Sequence, residues 1–156
     1  MRIWVDADAS PRDVKDVVFR AANRTGVPVS LVANKSMFTP AGEQISMVRV
    51  SGGPDAADDH IATHAERGDI VITADIPLAA RLVPGGVVVI DPRGELLDEE
   101  NIGERLSVRD FMSEIRDSGV STGGPRPYGA RDKQHFASAL DAALTRSAAA
   151  KKTRSP

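Results

Sequence analysis

Five short apolar runs recur along the chain, each closed by a turn or a helix start: RIWVD (2–6), VPVSLVAN (27–34), ISMVRVSGG (45–53), DIVITAD (69–75) and GGVVVIDPRG (85–94). Runs of this length, rich in β-branched residues, read as strands. The segments between them carry helical signals. Ser10-Pro11-Arg12-Asp13 predicts a helix start, with Ser10 as N-cap, Pro11 at the first helical position and Asp13 completing a capping-box-like pattern. That helix is expected to reach Gly26, with Val14, Val17, Val18, Ala21 and Ala22 on its inner face. Pro54 opens a second helix, DAADDHIATHAERG, whose stripe of Ala57, Ile61 and Ala65 has helical spacing. IPLAARLV is a short third helix, EENIGERLSVRDFMSEIRDSG a fourth, and DKQHFASALDAALTRS a last one after the Gly/Pro-rich loop 121–132.

Strands alternating with helices require right-handed crossovers and a mostly parallel sheet covered on both faces. The expected fold is therefore α/β: a three-layer α/β/α sandwich around a mostly parallel five-stranded sheet. At 156 residues the chain is long enough for a full hydrophobic core, and one domain is expected over residues 1–145. The last eleven residues contain Arg146, Lys151, Lys152 and Arg154 and no acid, and read as a basic, disordered tail over 146–156. The formal net charge is −2, so residues 1–145 carry about −6 without those four cations.

Several classes are excluded. With no cysteine there is no disulfide framework, thiolate metal site or cysteine nucleophile. No apolar run approaches the roughly 20 residues of a membrane helix, and the N-terminus opens on a strand instead of a signal peptide. A cytoplasmic protein without a membrane partner is expected; the oligomeric state is left open.

In parallel sheets, ligands bind beyond the carboxyl ends of the strands, where strand order reverses. Asp6 and Asp8 follow the first run and Asp75 the fourth, so if those strands are neighbours their acids meet in one crevice. Two carboxylates about 4 Å apart in a partly shielded site repel by about 4 kcal/mol. A cluster needs protonation, a basic partner or a hard cation, and Mg²⁺ or Mn²⁺ suits oxygen ligands. Such an ion would support metal-assisted phosphodiester hydrolysis. Each acid also has a plain structural role: Asp8 as a turn residue, Asp75 as the cap of the helix at Ile76-Pro77, and Asp55, Asp58 and Asp59 in a first helical turn that favours acids. Only their convergence argues for a site.

Other residues are more ambiguous. His60 and His64 stand at i, i+4, a chelating spacing that surface histidines share. Asn34 ends the second run and suits either substrate binding or a turn. Arg126, Tyr128, Arg131 and Lys133 suit phosphate contact and base stacking, or a loop that packs the last helix on the core.

Three segments resemble the PIN-like superfamily of metal-dependent nucleases: IWVDAD, ADDHIATHA with its acid Asp58 three residues before Ile61, and DIVITAD closing on Thr73-x-Asp75. More closely, DADASP, VAN, GPDAADDHIA, GDIVITADIPLA, DPRGE, ENIGE and TGGPRP resemble the YaiI/YqxD family of bacterial proteins, usually grouped with the PIN-like fold. The resemblance implies a PIN-like fold with Asp6, Asp58 and Asp75 as ligands of Mg²⁺ or Mn²⁺ and Asp8 beside them, these four forming the catalytic set. It implies Ser10 or Thr73 bonding a phosphate or metal-bound water, and backbone amides at the helix start by Pro11 and in the Gly52-Gly53 turn holding an anion. With Asn34 and Arg126 these complete the expected substrate-binding residues, for RNA as partner. Two departures stand out. The family commonly has Cys at Ser10, and Ile76, Pro77 and Leu78 occupy the place of a fourth acid, leaving Asp8 or Asp59 to compensate.

Two rivals belong to other classes. A non-catalytic RNA- or protein-binding module would keep the fold without the hydrolysis. A haloacid-dehalogenase-like phosphatase would share the strand ending in Asp-x-Asp, but it needs a Lys after a later strand, where this chain has Arg81 and Arg93.

Overall fold

A computed structural model of the chain describes residues 1–156 except 36–38, 40–43, 54, 120–125 and 155–156. Its frame is a six-stranded sheet in the order β3-β2-β1-β4-β5-β6. The strands are β1 (Ile3–Asp6), β2 (Val29–Ala33), β3 (Ile45–Arg49), β4 (Ile70–Ile72), β5 (Val88–Ile90) and β6 (Leu96–Leu97). The first five are parallel to their neighbours, and β6 alone is antiparallel, on β5. Among the described residues there are five α-helices: α1 (Arg12–Thr25), α2 (Ala56–His64), α3 (Ile76–Leu82), α4 (Ile102–Asp117) and α5 (Ala130–Arg154).

Two apolar clusters flank the sheet, as the pleat requires of strands buried on both faces. One unites Ile3, Val5, Leu31 and Ile72 with Val14 and Val18 of α1 and Phe136 and Leu140 of α5. The other unites Trp4, Val32, Val71 and Val89 with Ile61 of α2 and Leu78 and Leu82 of α3. Helices thus cover both faces, consistent with α/β/α layering. Helix α4 contributes no fully buried residue; it leans on α3, with Val108 53 % and Phe111 60 % exposed.

The sequence-based picture needs four corrections. The sheet has six strands instead of five, because the turn after β5 folds Leu96–Leu97 back beside it, with the Asp91 amide donating to the Glu95 carbonyl at 2.9 Å. Two residues show no periodicity to detect. Ser10 does not cap α1: its hydroxyl donates to the Asp6 carbonyl at 2.8 Å, and Pro11 takes the N-cap position. Ala130 and Arg131 belong to α5 instead of the preceding loop, whose residues 121–125 lie outside those described. Helix α5 also runs through the expected tail to Arg154, since the alanines at 148–150 are the strongest helix formers. Pro54, expected to open the second helix, is outside the described residues, and α2 begins at Ala56.

Candidate functional site

The chain lays β2 and β3 on one side of β1, then crosses to lay β4 and β5 on the other. Strand order therefore reverses between β1 and β4, and the crevice lies beyond their carboxyl ends. Asp6 is the last residue of β1, and Asp75 stands three residues past β4.

Thr73 joins the two. It is fully buried; its hydroxyl donates to Asp6 Oδ2 at 3.0 Å and accepts the Asp75 amide at 3.0 Å. Asp75 in turn accepts the Leu78 amide on Oδ1 at 2.9 Å, capping α3 where Pro77 is preorganised for a helix start. Each carboxylate thus has one oxygen engaged in fixing its direction. Among the described residues no hydroxyl or amide donates to Asp6 Oδ1.

Asp58 enters from the first turn of α2 and lies within hydrogen-bonding reach of Asp75. Burial, that bond, and the charges of Asp75, Asp6 and Asp55 together push its carboxyl up from 3.8 to about 7. Asp6, 6 % exposed, is also raised: burial disfavours its charge, the Thr73 hydroxyl partly offsets this, and Asp75 and Asp8 add repulsion. Among the described residues no lysine or arginine is ion-paired with Asp6, Asp58 or Asp75. The donor set is all oxygen, which fits a hard cation such as Mg²⁺ or Mn²⁺. In the observed arrangement, however, no three acids or histidines among the described residues converge to hold a metal ion. Binding one would require Asp58 to give up its proton and the side chains to close on the ion.

The remaining predicted residues distribute as follows. Asp8 is exposed, and its Oδ2 accepts the Asn34 amide at 2.6 Å, tying the end of β2 to the 3₁₀ turn Ala7–Ala9. Ser10 is held against the backbone of Asp6. Asp59 is engaged by Arg81 at 2.9 Å. Arg126 grips Asp132 through both terminal nitrogens, at 2.8 and 2.7 Å. His60 and His64 stack with centroids 4.1 Å apart above Trp4, and His64 Nδ1 pairs with the His60 carbonyl at 2.8 Å.

Two acids escaped the sequence reading. Asp91 follows β5 directly beside Thr73, whose amide donates to the Ile90 carbonyl at 3.2 Å. Its carboxyl is raised by burial, despite amide bonds from Arg93 and Gly94 and the charges of Arg105 and Arg93. It extends the acidic edge by one strand, and its signal was the acid after VVVI, the same strand-end position as Asp6. Asp69 stands at the opposite edge and is structural: it accepts from the Trp4 indole, the Arg2 amide and the Glu66 amide.

Comparison with known proteins places the chain in a family. Residues 4–146 match the family described as "Uncharacterized BCR, YaiI/YqxD family". A UPF0178 protein of Myxococcus xanthus is 57 % identical over 146 residues, covering 94 % of this chain and 95 % of its own. One from Citrifermentans bemidjiense is 58 % identical over 146 residues, with 94 % and 95 % covered. One from Geobacter sulfurreducens is 55 % identical over 147 residues, with 94 % and 97 % covered. No solved structure matches the chain. No helix among the described residues is long and apolar enough to cross a membrane. The chain belongs to the YaiI/YqxD (UPF0178) family.

Proposed function

We propose that this protein is a divalent-metal-dependent nuclease that hydrolyses phosphodiesters, with RNA as substrate, at the carboxyl edge of its sheet. One observation carries the reading: where strand order reverses between β1 and β4, Thr73 joins Asp6 to Asp75, Asp58 enters from the first turn of α2, and no described lysine or arginine is ion-paired with any of the three. A purely structural cluster would relieve the repulsion among its acids with a basic side chain. The PIN-like resemblance of IWVDAD, ADDHIATHA and DIVITAD supports the same assignment. Asp6, Asp58 and Asp75 would hold Mg²⁺ or Mn²⁺, with Asp8 and Asp91 at its margins. The ion supplies Lewis-acid neutralisation of the charge that develops on a phosphoryl oxygen. The protein's part is positional. Thr73 fixes Asp6, the Leu78 amide fixes Asp75, and Asp58, to join them as a ligand, would have to be ionised.

A second reading has its own observation. The absence, among the described residues, of three converging ligands favours a non-catalytic RNA-binding module. Titration with Mg²⁺ or Mn²⁺ followed by thermal melting, together with cleavage of labelled structured RNA, separates the two. The nuclease reading expects a metal-dependent rise in Tm that Asp75→Asn abolishes, and cleavage lost in the same variant. A rise without cleavage leaves the binding module; no rise in wild type defeats metal-dependent hydrolysis altogether.

A further inference from the structure

Beside the acidic edge lies a cleft that brings Asn34 and the Gly52-Gly53 turn, both expected to contact substrate, together with Arg49, to which neither the motifs nor the family description gives a role. It has a volume of about 520 Å³ and is lined by Asn34, Arg49, Val50, Ser51, Gly52 and Gly53. That volume is in the range of small-ligand sites, enough for one nucleotide unit. Its position follows from the sheet. Arg49 ends β3 in register with Ala33, the Val50 amide donates to the Ala33 carbonyl at 2.9 Å, and Asn34 follows Ala33. The Asn34 amide is the group that Asp8 accepts, so the cleft is bonded to the 3₁₀ turn that follows Asp6.

Its chemistry is opposite to that of its neighbour. Arg49 is exposed and has no carboxylate partner among the described residues. Gly52 and Gly53 hold φ of 117° and 104°, a backbone conformation that glycine alone adopts readily and that lets a ligand approach the main chain closely. Among the described residues the amides of Ser51, Gly52 and Gly53 donate to no backbone acceptor. A guanidinium beside unpaired amides is the donor set that recognises a phosphate diester. An edge of carboxylates on a body of about −6 repels a polyanion, so any strand brought there needs a local cation.

We infer that the Arg49 cleft is a phosphate subsite for single-stranded nucleic acid. It holds a backbone phosphate next to the one positioned at Asp6, Asp58 and Asp75. The inference rests on the proposed hydrolytic site. β3 lies two strands from β1, roughly 10 Å at the usual strand spacing, so the strand would cross the ends of β1, β2 and β3 in turn.

Binding of a short fluorescein-labelled single-stranded RNA, and of the DNA of the same sequence, is to be followed by anisotropy across a salt series with Mg²⁺ present. Arg49→Gln is expected to weaken binding about tenfold, the scale of one charge-assisted contact. The slope of log affinity against log salt should fall by about 0.7, one phosphate's worth for a single strand. Arg49→Lys should keep the slope and lose only part of the affinity. The Mg²⁺-induced rise in Tm should be unchanged in both variants, which also shows that they fold. Wild-type affinity and slope in Arg49→Gln would overturn the subsite and leave the metal centre standing. A wild type that responds to Mg²⁺ yet binds neither strand would overturn it equally. Arg49-dependent binding without any Mg²⁺ response would uphold the subsite and sink the hydrolytic reading instead.

Discussion

Thr73 shows how one side chain can serve both the fold and the site. It carries no charge, yet its hydroxyl is the link between the acid that ends β1 and the acid that caps α3. Replacing it with valine keeps the shape and removes the donor, which leaves a buried carboxylate short of a partner. Thr73→Val should cost about 1–3 kcal/mol of stability, the penalty for an unsatisfied buried group, read as a lower midpoint in urea. Thr73→Ser, which keeps the hydroxyl, should recover most of it. At this scale the sequence was legible where a residue type has few reasons to be present. Asp6, Asp58 and Asp75 were singled out at strand and helix ends; the Thr73 hydroxyl joins Asp6 to Asp75, and Asp58 stands in the first turn of α2. Asp75 also performs the helix-capping role weighed as its plain alternative, so the two readings coexist in one side chain. Ser10 was misread because a hydroxyl before a proline has two backbone partners within reach, and only the folded chain shows that it bonds the Asp6 carbonyl. Asp91 was missed because DPRG reads locally as a turn, and its neighbour Thr73 is distant in sequence.

Elements were legible in proportion to their length. The five longer apolar runs formed strands, and the expected stripes of α1 and α2 face the core, with Val14, Val18, Ala57 and Ile61 buried. β6 is only a two-residue return, and its existence depends on the turn before it. Gly94, at φ +91°, passes so close to α5 that a Cβ there would lie 2.5 Å from the His135 carbonyl carbon. The same junction is clamped by Asp132, 1 % exposed beneath the guanidinium groups of Arg93 and Arg126, and by the Tyr128 hydroxyl donating to the Pro92 carbonyl at 2.8 Å. Those arginines stand on the loop side of β5, and their bonds to Asp132 hold its carboxyl far below the usual range. Of the Gly/Pro-rich loop, residues 121–125 lie outside those described; Arg126 and Tyr128 pack against α5 and the turn after β5, and the ion pairs of Arg126 could not be read from composition. Gly94→Ala should destabilise the protein by about 3 kcal/mol, combining a left-handed conformation for alanine with overpacking against α5. Gly103→Ala, in the open first turn of α4 with nothing within 4 Å, should be neutral or slightly stabilising. A parallel loss in both variants, measured by chemical denaturation, would show that the close approach at Gly94 is not what matters.

For the whole molecule, the topology sets where stability and function oppose each other. Reversal of strand order between β1 and β4 gathers carboxylates at an edge already covered by α2 and α3, and the energetic consequence falls on Asp58. In the unfolded chain its carboxyl ionises near 3.8; in the folded protein it retains its proton to about 7. Between those values the native state binds more protons than the unfolded one, so stability falls as pH rises and levels off above about 7. The unscreened conversion is reduced because the side chain is partly exposed, leaving a loss on the order of 1–2 kcal/mol. Asp58→Asn removes this dependence. Its Tm should match wild type near pH 4 and exceed it progressively up to pH 8, in buffer containing a chelator. If the edge holds a divalent cation as proposed, the order should reverse. Saturating Mg²⁺ at about 100 times its Kd adds about 2.7 kcal/mol to the state that binds it, so at pH 8 wild type should overtake Asp58→Asn. Below about pH 6 the ion must displace the Asp58 proton, and the overtaking should vanish. Curves that run parallel from pH 4 to pH 8, with and without Mg²⁺, would mean that the acids at this edge are fixed by their hydrogen bonds alone and bind no ion.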